Sequence, residues 1–148
     1  MKRYLIPTFL ALVGVFVAII GIVLLPPVRD LLQGNLVIGI FGIFSLLGVA
    51  LTFLAVRAKV EARLRKFLIL TGASAIGFFI SVLLHNLIYG LFIYLFGVDF
   101  WDKVGLGDEP FFFLIAVIVC PIGFLVGVVG SIVLLIRDKK NKKELPQT

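Results

Sequence analysis

Residues 111–136 read FFFLIAVIVCPIGFLVGVVGSIVLLI, and no side chain in this stretch is charged. The stretch is longer than the about 20 apolar residues that a helix needs to cross about 30 Å of hydrocarbon. A helix on the surface of a soluble protein presents a polar face to water, and this stretch has no such face. It therefore predicts a helix that lies inside a membrane.

Three further apolar runs precede this stretch, at residues 4–25, 36–56 and 67–96. Apolar residues make up 61% of the chain and charged residues 15%. A soluble domain of this size cannot enclose four such runs. The first run is longer than the about 7 to 15 apolar residues of a cleavable signal, and no small-residue cleavage site follows it. The sequence thus predicts one all-α domain, a transmembrane four-helix bundle.

The distribution of basic residues predicts an orientation for this bundle. Twelve of the 14 Lys and Arg residues lie before the first run, between the second and third runs, or in the tail at residues 137–148. The positive-inside rule then places both termini in the cytoplasm, with the protein in the cell membrane. No nucleic-acid motif accompanies the net charge of +6. The expected partners of the basic segments are anionic lipid headgroups, and no nucleic acid is expected.

Small residues predict how the spans pack, because lipid gives no hydrophobic reward for helix association and close backbone contact must replace it. The spacing places small residues on one face of the first, third and fourth spans. The fourth-span face could join helices within one chain or between two chains. The glycines expected to pack are Gly14, Gly21, Gly77, Gly123, Gly127 and Gly130.

The third run carries a polar stripe. Five of its members fall within about 120° of one helix face, and Asn86 lies at the edge. A polar face is costly against lipid, so we expect it to point into the bundle or into an oligomer interface. At about 45 Å the run exceeds the membrane and must tilt, protrude or break, with Gly90 a candidate break. The stripe comprises Thr71, Ser74, Ser81, His85, Asn86 and Tyr89.

His85 is the one histidine of the chain and its strongest functional candidate. Ionisable groups at membrane depth often mark proton or ion paths. The alternative is a neutral ring that bonds a serine, a tyrosine or a backbone carbonyl of a neighbouring span. Within the spans only Cys120 could join His85 as a ligand, so no metal or cofactor is expected. No catalytic motif is present, and we expect no enzymatic activity.

Two local signals concern the fourth span. Asp108, Glu109 and Pro110 precede it, as expected for a helix start that needs acceptors for its free amides. Pro121 lies inside it and should bend the helix and free the carbonyl near Val117.

The second half of the chain resembles a family of small prokaryotic four-span membrane proteins that are uncharacterised. The resemblance rests on LTGASAIG at residues 70–77, LHNLIYG at 84–90, FFF at 111–113 and CPIGFLVGVVGS at 120–131. It implies the four-span architecture and supplies no activity.

Two functions follow as expectations. The first is a non-enzymatic structural or accessory membrane protein that self-associates or assembles with a membrane-protein partner. The second is a channel or carrier for an ion or small polar solute, in which the stripe lines a path centred on His85. The first needs a dry stripe and the second needs a hydrated one.

Overall fold

The computed structural model describes residues 2–25 and 34–144, and within them the chain forms helices and no strand. Four helical stretches are long and apolar enough to cross a membrane. The last of them consists of α5, a π-helical turn at Ile115–Val119 and α6, and we call it span four. The helices are α1 Lys2–Leu24, α2 Gly34–Arg57, α3 Ala62–Phe96, α4 Phe100–Lys103, α5 Pro110–Leu114 and α6 Cys120–Glu144.

Helices long and apolar enough to cross a membrane lie at all four predicted spans, and two of them extend at least five residues beyond the predicted bounds. α3 begins at Ala62, and α6 continues to Glu144, because the flanking Ala, Leu, Lys and Arg residues favour helix. α3 passes through Gly90 without a break. Residues 26–33 and the last four residues of the predicted tail lie outside the described residues. The short helix α4 was not predicted.

α3 lies between α2 and span four and forms the centre of the bundle. It meets α2 where two glycines face each other. A Cβ on Gly48 would lie 2.8 Å from the carbonyl oxygen of Gly72, and a Cβ on Gly72 would lie 2.7 Å from that of Gly48. Only hydrogen fits at both positions, so the two backbones touch.

The glycines of α6 pack against α3 within the same chain. A Cβ on Gly123 would lie 2.7 Å from the Ser74 hydroxyl, and one on Gly127 would lie 2.8 Å from the backbone nitrogen of Thr71. A Cβ on Gly130 would collide with the Phe67 ring. The contacting residue numbers rise from 123 to 130 along α6 and fall from 74 to 67 along α3, so the two helices are antiparallel. The small face of the fourth span therefore joins two helices within one chain.

Phenylalanine rings fill the core between the spans. The Phe16 ring of α1 stacks on Phe124 of α6, with centroids 4.3 Å apart. Phe44 of α2 lies 5.4 Å from the same Phe124 ring, and Phe41 meets Phe78 of α3 edge-on at 5.0 Å. Rings from all four spans thus meet in one cluster.

α1 buries several of its large residues and leaves small residues on its outer side, together with exposed large ones. Leu5, Phe9 and Leu12 are buried. In contrast, a Cβ on Gly14 or Gly21 would meet nothing within 4 Å. These two predicted packing glycines therefore do not serve the packing of this chain.

The bundle has two chemically different ends. The connection between α2 and α3 carries Arg57, Lys59 and Arg63, and the end of α6 lies beside it because Gly130 faces Phe67. We call this the basic end. The connection between α3 and span four lies at the opposite end and carries four carboxylates and one lysine. We call that the acidic end.

Candidate functional site

His85 makes its polar contacts at the acidic end. Its Nδ1 lies 3.1 Å from the backbone carbonyl oxygen of Glu109 and 3.3 Å from the Glu109 Oε2. Its Nε2 lies 3.6 Å from the Asp108 Oδ2. A carbonyl oxygen only accepts, so Nδ1 carries a proton and donates it. We call these three residues the histidine–carboxylate cluster.

Glu109 is held in this cluster by the start of span four. It is the N-cap of α5, and its Oε1 accepts from the backbone nitrogen of Phe111 at 2.8 Å. Its Oε2 accepts from that of Phe112 at 3.0 Å. The Asp108 Oδ1 in turn accepts from the Glu109 backbone nitrogen at 2.7 Å. The predicted helix start is confirmed, and because of these bonds the side chain of Glu109 is buried and satisfied.

The partners of His85 differ from those expected. The sequence alternative paired the ring with a serine, a tyrosine or a backbone carbonyl of a neighbouring span. The His85 ring does contact a backbone carbonyl, that of Glu109, but it also lies beside the carboxylates of Asp108 and Glu109. Sequence reasoning treated Asp108 and Glu109 as helix-start residues and missed their contact with His85, because a separation of 24 residues gives no periodic signal.

Aromatic rings extend the cluster toward the loop. The Tyr89 ring lies 6.5 Å from the His85 ring and stacks on Trp101 at 5.9 Å with an interplanar angle of 10°. The indole nitrogen of Trp101 donates to the Tyr89 carbonyl oxygen at 3.3 Å. The loop returns over Trp101 through Gly105 and Gly107, whose positive φ angles of 73° and 66° suit glycine. α4 therefore covers the outer side of the site.

The predicted polar stripe divides into two parts. Thr71, Ser74 and Ser81 are buried, and Thr71 donates to the carbonyl oxygen of Phe67 in its own helix at 2.9 Å. His85 and Tyr89 belong to the aromatic side of the cluster. Asn86 is exposed, and its amide donates to the carbonyl oxygen of Val82 at 2.8 Å. Thr71, Ser74 and Ser81 thus pack between helices, His85 and Tyr89 lie at the site, and Asn86 belongs to neither part.

His85 lies far along α3 from the basic end. Eighteen residues separate Phe67, near the basic end, from His85. At 1.5 Å per residue the distance is about 27 Å, which is close to the about 30 Å thickness of the hydrocarbon. A hydrocarbon layer of this thickness that began at Phe67 would end near the cluster.

An apolar pocket opens directly beneath this cluster. Its volume is about 390 Å³, and its walls come from α1, α2, α3 and span four. His85, Ser74 and Cys120 supply its polar atoms. Six rings line the rest of it: Phe16, Phe41, Phe44, Phe78, Phe113 and Phe124.

The π-helical turn shapes one wall of the pocket. Pro121 lies two residues after the end of this turn and has no backbone N–H, and the Cys120 backbone nitrogen donates to the carbonyl oxygen of Ile115 five residues earlier. The predicted distortion at Pro121 is confirmed, and it takes the form of a wider turn. Ala116 and Val117, from this turn, line the pocket.

Comparison of the chain with protein-family models, with curated proteins and with solved structures gave no match. Among the described residues, no group of three or more His, Cys, Asp and Glu side chains is arranged to hold a metal ion. The fold and the site together define a four-helix protein of the transmembrane type, with a histidine–carboxylate cluster above an apolar pocket.

Proposed function

We propose that this chain is a non-enzymatic membrane protein that acts as a structural or accessory partner and self-associates through α1. The observation that carries the proposal is the exposure of the small face of α1. Gly14 and Ala18 are exposed, and a Cβ on Gly14 would meet no atom within 4 Å. Small residues four positions apart on a lipid-facing surface allow two helix backbones to approach closely.

The small face of span four supports this choice by exclusion. Gly123, Gly127 and Gly130 are already covered by α3, so they have no surface left for a second copy. α1 packs Leu5, Phe9 and Leu12 on the bundle and leaves Ala11, Gly14 and Ala18 on its outer side. A second copy of the chain is the occupant that we propose for this face.

Self-association is tested with Gly14→Leu, because a leucine would separate the two α1 backbones. Gly39→Leu is the matched control, since Gly39 of α2 is also exposed with nothing within 4 Å of a Cβ. We expect sedimentation in mild detergent to show a dimer for the native chain and the control, and a monomer for Gly14→Leu. A native monomer, or a Gly14→Leu dimer, would refute the interface.

We further propose that both termini are cytoplasmic, in the cell membrane, with the basic end against anionic lipid headgroups. The support is the separation of charge along the bundle, with Arg57, Arg63 and Arg65 at one end and Asp99, Asp102 and Asp108 at the other. Cysteines introduced at Lys59 and at Asp102 in a Cys120→Ala background test the orientation in intact cells. An impermeant thiol reagent should label only the position at Asp102.

The second candidate, a channel or carrier, has one observation in its favour, which is that the pocket reaches His85. The buried half of the stripe weighs against a continuous polar path. A Cβ on Gly123 would lie 2.7 Å from the Ser74 hydroxyl and one on Gly127 would lie 2.8 Å from the Thr71 nitrogen, so α3 and α6 are in close contact along this half of the stripe. Cysteines placed at Ser74, Ser81 and His85 distinguish the two functions. Labelling of all three by a water-soluble thiol reagent would favour the path, and protection of Ser74 and Ser81 would favour packing.

A further inference from the structure

The pocket beneath the histidine–carboxylate cluster opens sideways between α1 and span four. Ile20 and Val23 of α1 and Val117 of span four line the pocket and are also 40%, 59% and 53% exposed. The stacked Phe16 and Phe124 rings contribute to the wall on the side away from His85. In a membrane these exposed edges face lipid, so a molecule dissolved in the bilayer could enter without crossing water.

The size and walls of the pocket suit a small apolar group. Its volume of about 390 Å³ falls within the range of about 300 to 1,000 Å³ typical of ligand sites. Most of its wall is aromatic or aliphatic, with six phenylalanine rings. Ring faces carry negative potential and attract cations as well as apolar groups.

The net charge of the residues at the mouth of the pocket determines which charged group of a ligand can bind there. The cluster combines one imidazole with the carboxylates of Asp108 and Glu109. Even a fully protonated ring leaves it with one net negative charge. The same loop adds Asp99 and Asp102 against Lys103 alone, and Lys103 lies 3.9 Å from Asp99. An anionic head would be repelled there, whereas a cationic head would be attracted.

We propose that this pocket binds a lipophilic cation, with its hydrocarbon part among the phenylalanine rings and its ammonium-type head beside His85 and Asp108. Asp108 is the contact available to the head, because its Oδ2 has only the 3.6 Å approach of the His85 Nε2, whereas Glu109 is occupied by two backbone amides and by His85. The Asp108 side chain is 54% exposed and reaches the headgroup level at which such a head would sit. The site is separate from the proposed α1 interface and does not depend on self-association.

Binding is tested with three probes that share one chain, namely decyltrimethylammonium, decanol and decyl sulfate. The protein is placed in nanodiscs of neutral lipid, and binding to empty nanodiscs is subtracted. We expect saturable binding of one radiolabelled decyltrimethylammonium per chain, displaced by unlabelled cation and not by decyl sulfate. Equal competition by all three probes would show an apolar cavity without charge selection and would overturn the proposal, as would the absence of saturable binding.

Two pairs of variants locate the site. Asp108→Asn keeps the oxygen that accepts from Glu109 and removes the charge, so we expect affinity for the cation to fall about fivefold, as for an exposed ion pair. Asp102→Asn is the control for loss of a loop charge. Val117→Trp should abolish saturable binding by filling the pocket, while Ile118→Trp, on the adjacent residue that does not line it, should not.

These variants keep failure of the proposal separate from failure of the fold. All four variants must retain the native far-ultraviolet circular dichroism. The controls, Asp102→Asn and Ile118→Trp, show whether a comparable change in charge or in side-chain volume alters the fold. If Asp102→Asn and Asp108→Asn weaken binding equally, the head does not sit at the cluster. If Val117→Trp binds as the native chain does, the pocket is not the site. Gly14→Leu should bind the cation with unchanged affinity, because α1 association is a separate property.

Discussion

The contact between α3 and α6 predicts opposite outcomes for two identical substitutions. In Gly127→Ala the new Cβ would lie 2.8 Å from the Thr71 backbone nitrogen and 3.0 Å from the Phe67 carbonyl oxygen. Both are backbone atoms, which cannot rotate away as a side chain can. In Gly39→Ala the new methyl group meets nothing within 4 Å. The first variant therefore overpacks a helix contact, and the second adds a methyl group to an open surface.

The magnitude follows from two effects. Alanine is favoured over glycine inside a helix by about 1 kcal/mol, and this gain is common to both variants. Overpacking costs about 1–3 kcal/mol and applies to Gly127→Ala alone. The difference between the variants isolates the packing cost, and a value of about 2 kcal/mol corresponds to a separation in Tm of about 4–8 °C. Gly127→Ala should be the less stable variant.

The assay is reversible unfolding in mixed micelles of mild detergent and dodecyl sulfate, followed by far-ultraviolet circular dichroism. The native chain, Gly127→Ala and Gly39→Ala are compared at one protein concentration. Equal midpoints for the two variants would refute the reasoning, because they would mean that α6 does not approach α3 at Gly127. The packing of span four would then have to be assigned to another chain.

Two further predictions concern the cluster. Glu109→Ala removes the N-cap of α5 and a partner of His85, so we expect a loss of about 0.5–2 kcal/mol of stability, whereas Glu109→Gln, which keeps an accepting oxygen, should lose less; equal losses would contradict the capping role. Trp101 is the one tryptophan of the chain and is buried against Tyr89, so its fluorescence should shift to longer wavelength in Tyr89→Ala and stay unchanged in Asn86→Ala. A shift in both variants, or in neither, would contradict the stacked arrangement.

Periodic features of the fold could be predicted from the sequence. Runs of apolar residues located all four spans, because the thickness of the hydrocarbon fixes the length that a helix must have. Spacing along one helix also placed Gly123, Gly127 and Gly130 on a common face. It could not tell which helix covers that face. The Gly48–Gly72 contact escaped prediction, since the glycines of α2 recur every three residues and spread around the helix.

The site was predicted only in part. His85 and Tyr89 were found because both lie on the polar face of α3. Trp101 and the carboxylates of Asp108 and Glu109 join them through a loop, and loop geometry leaves no periodic trace in the sequence. The glycines at positions 105 and 107 were the available signal, since a pair so close together allows the chain to reverse over α4.

The exposure of Asp108 bears on how one cluster can hold three ionisable groups in a protein of the transmembrane type. At the centre of the hydrocarbon each charge would be expensive, and a carboxylate pair beside one histidine would leave charge uncompensated. At about 27 Å from Phe67 the cluster reaches water through Asp108, whose side chain is 54% exposed. The same position leaves His85 in the wall of the pocket. A position at the margin of the hydrocarbon would permit both features, a charged mouth in water and an apolar pocket in lipid, and the proposed selection of a cation rests on that combination.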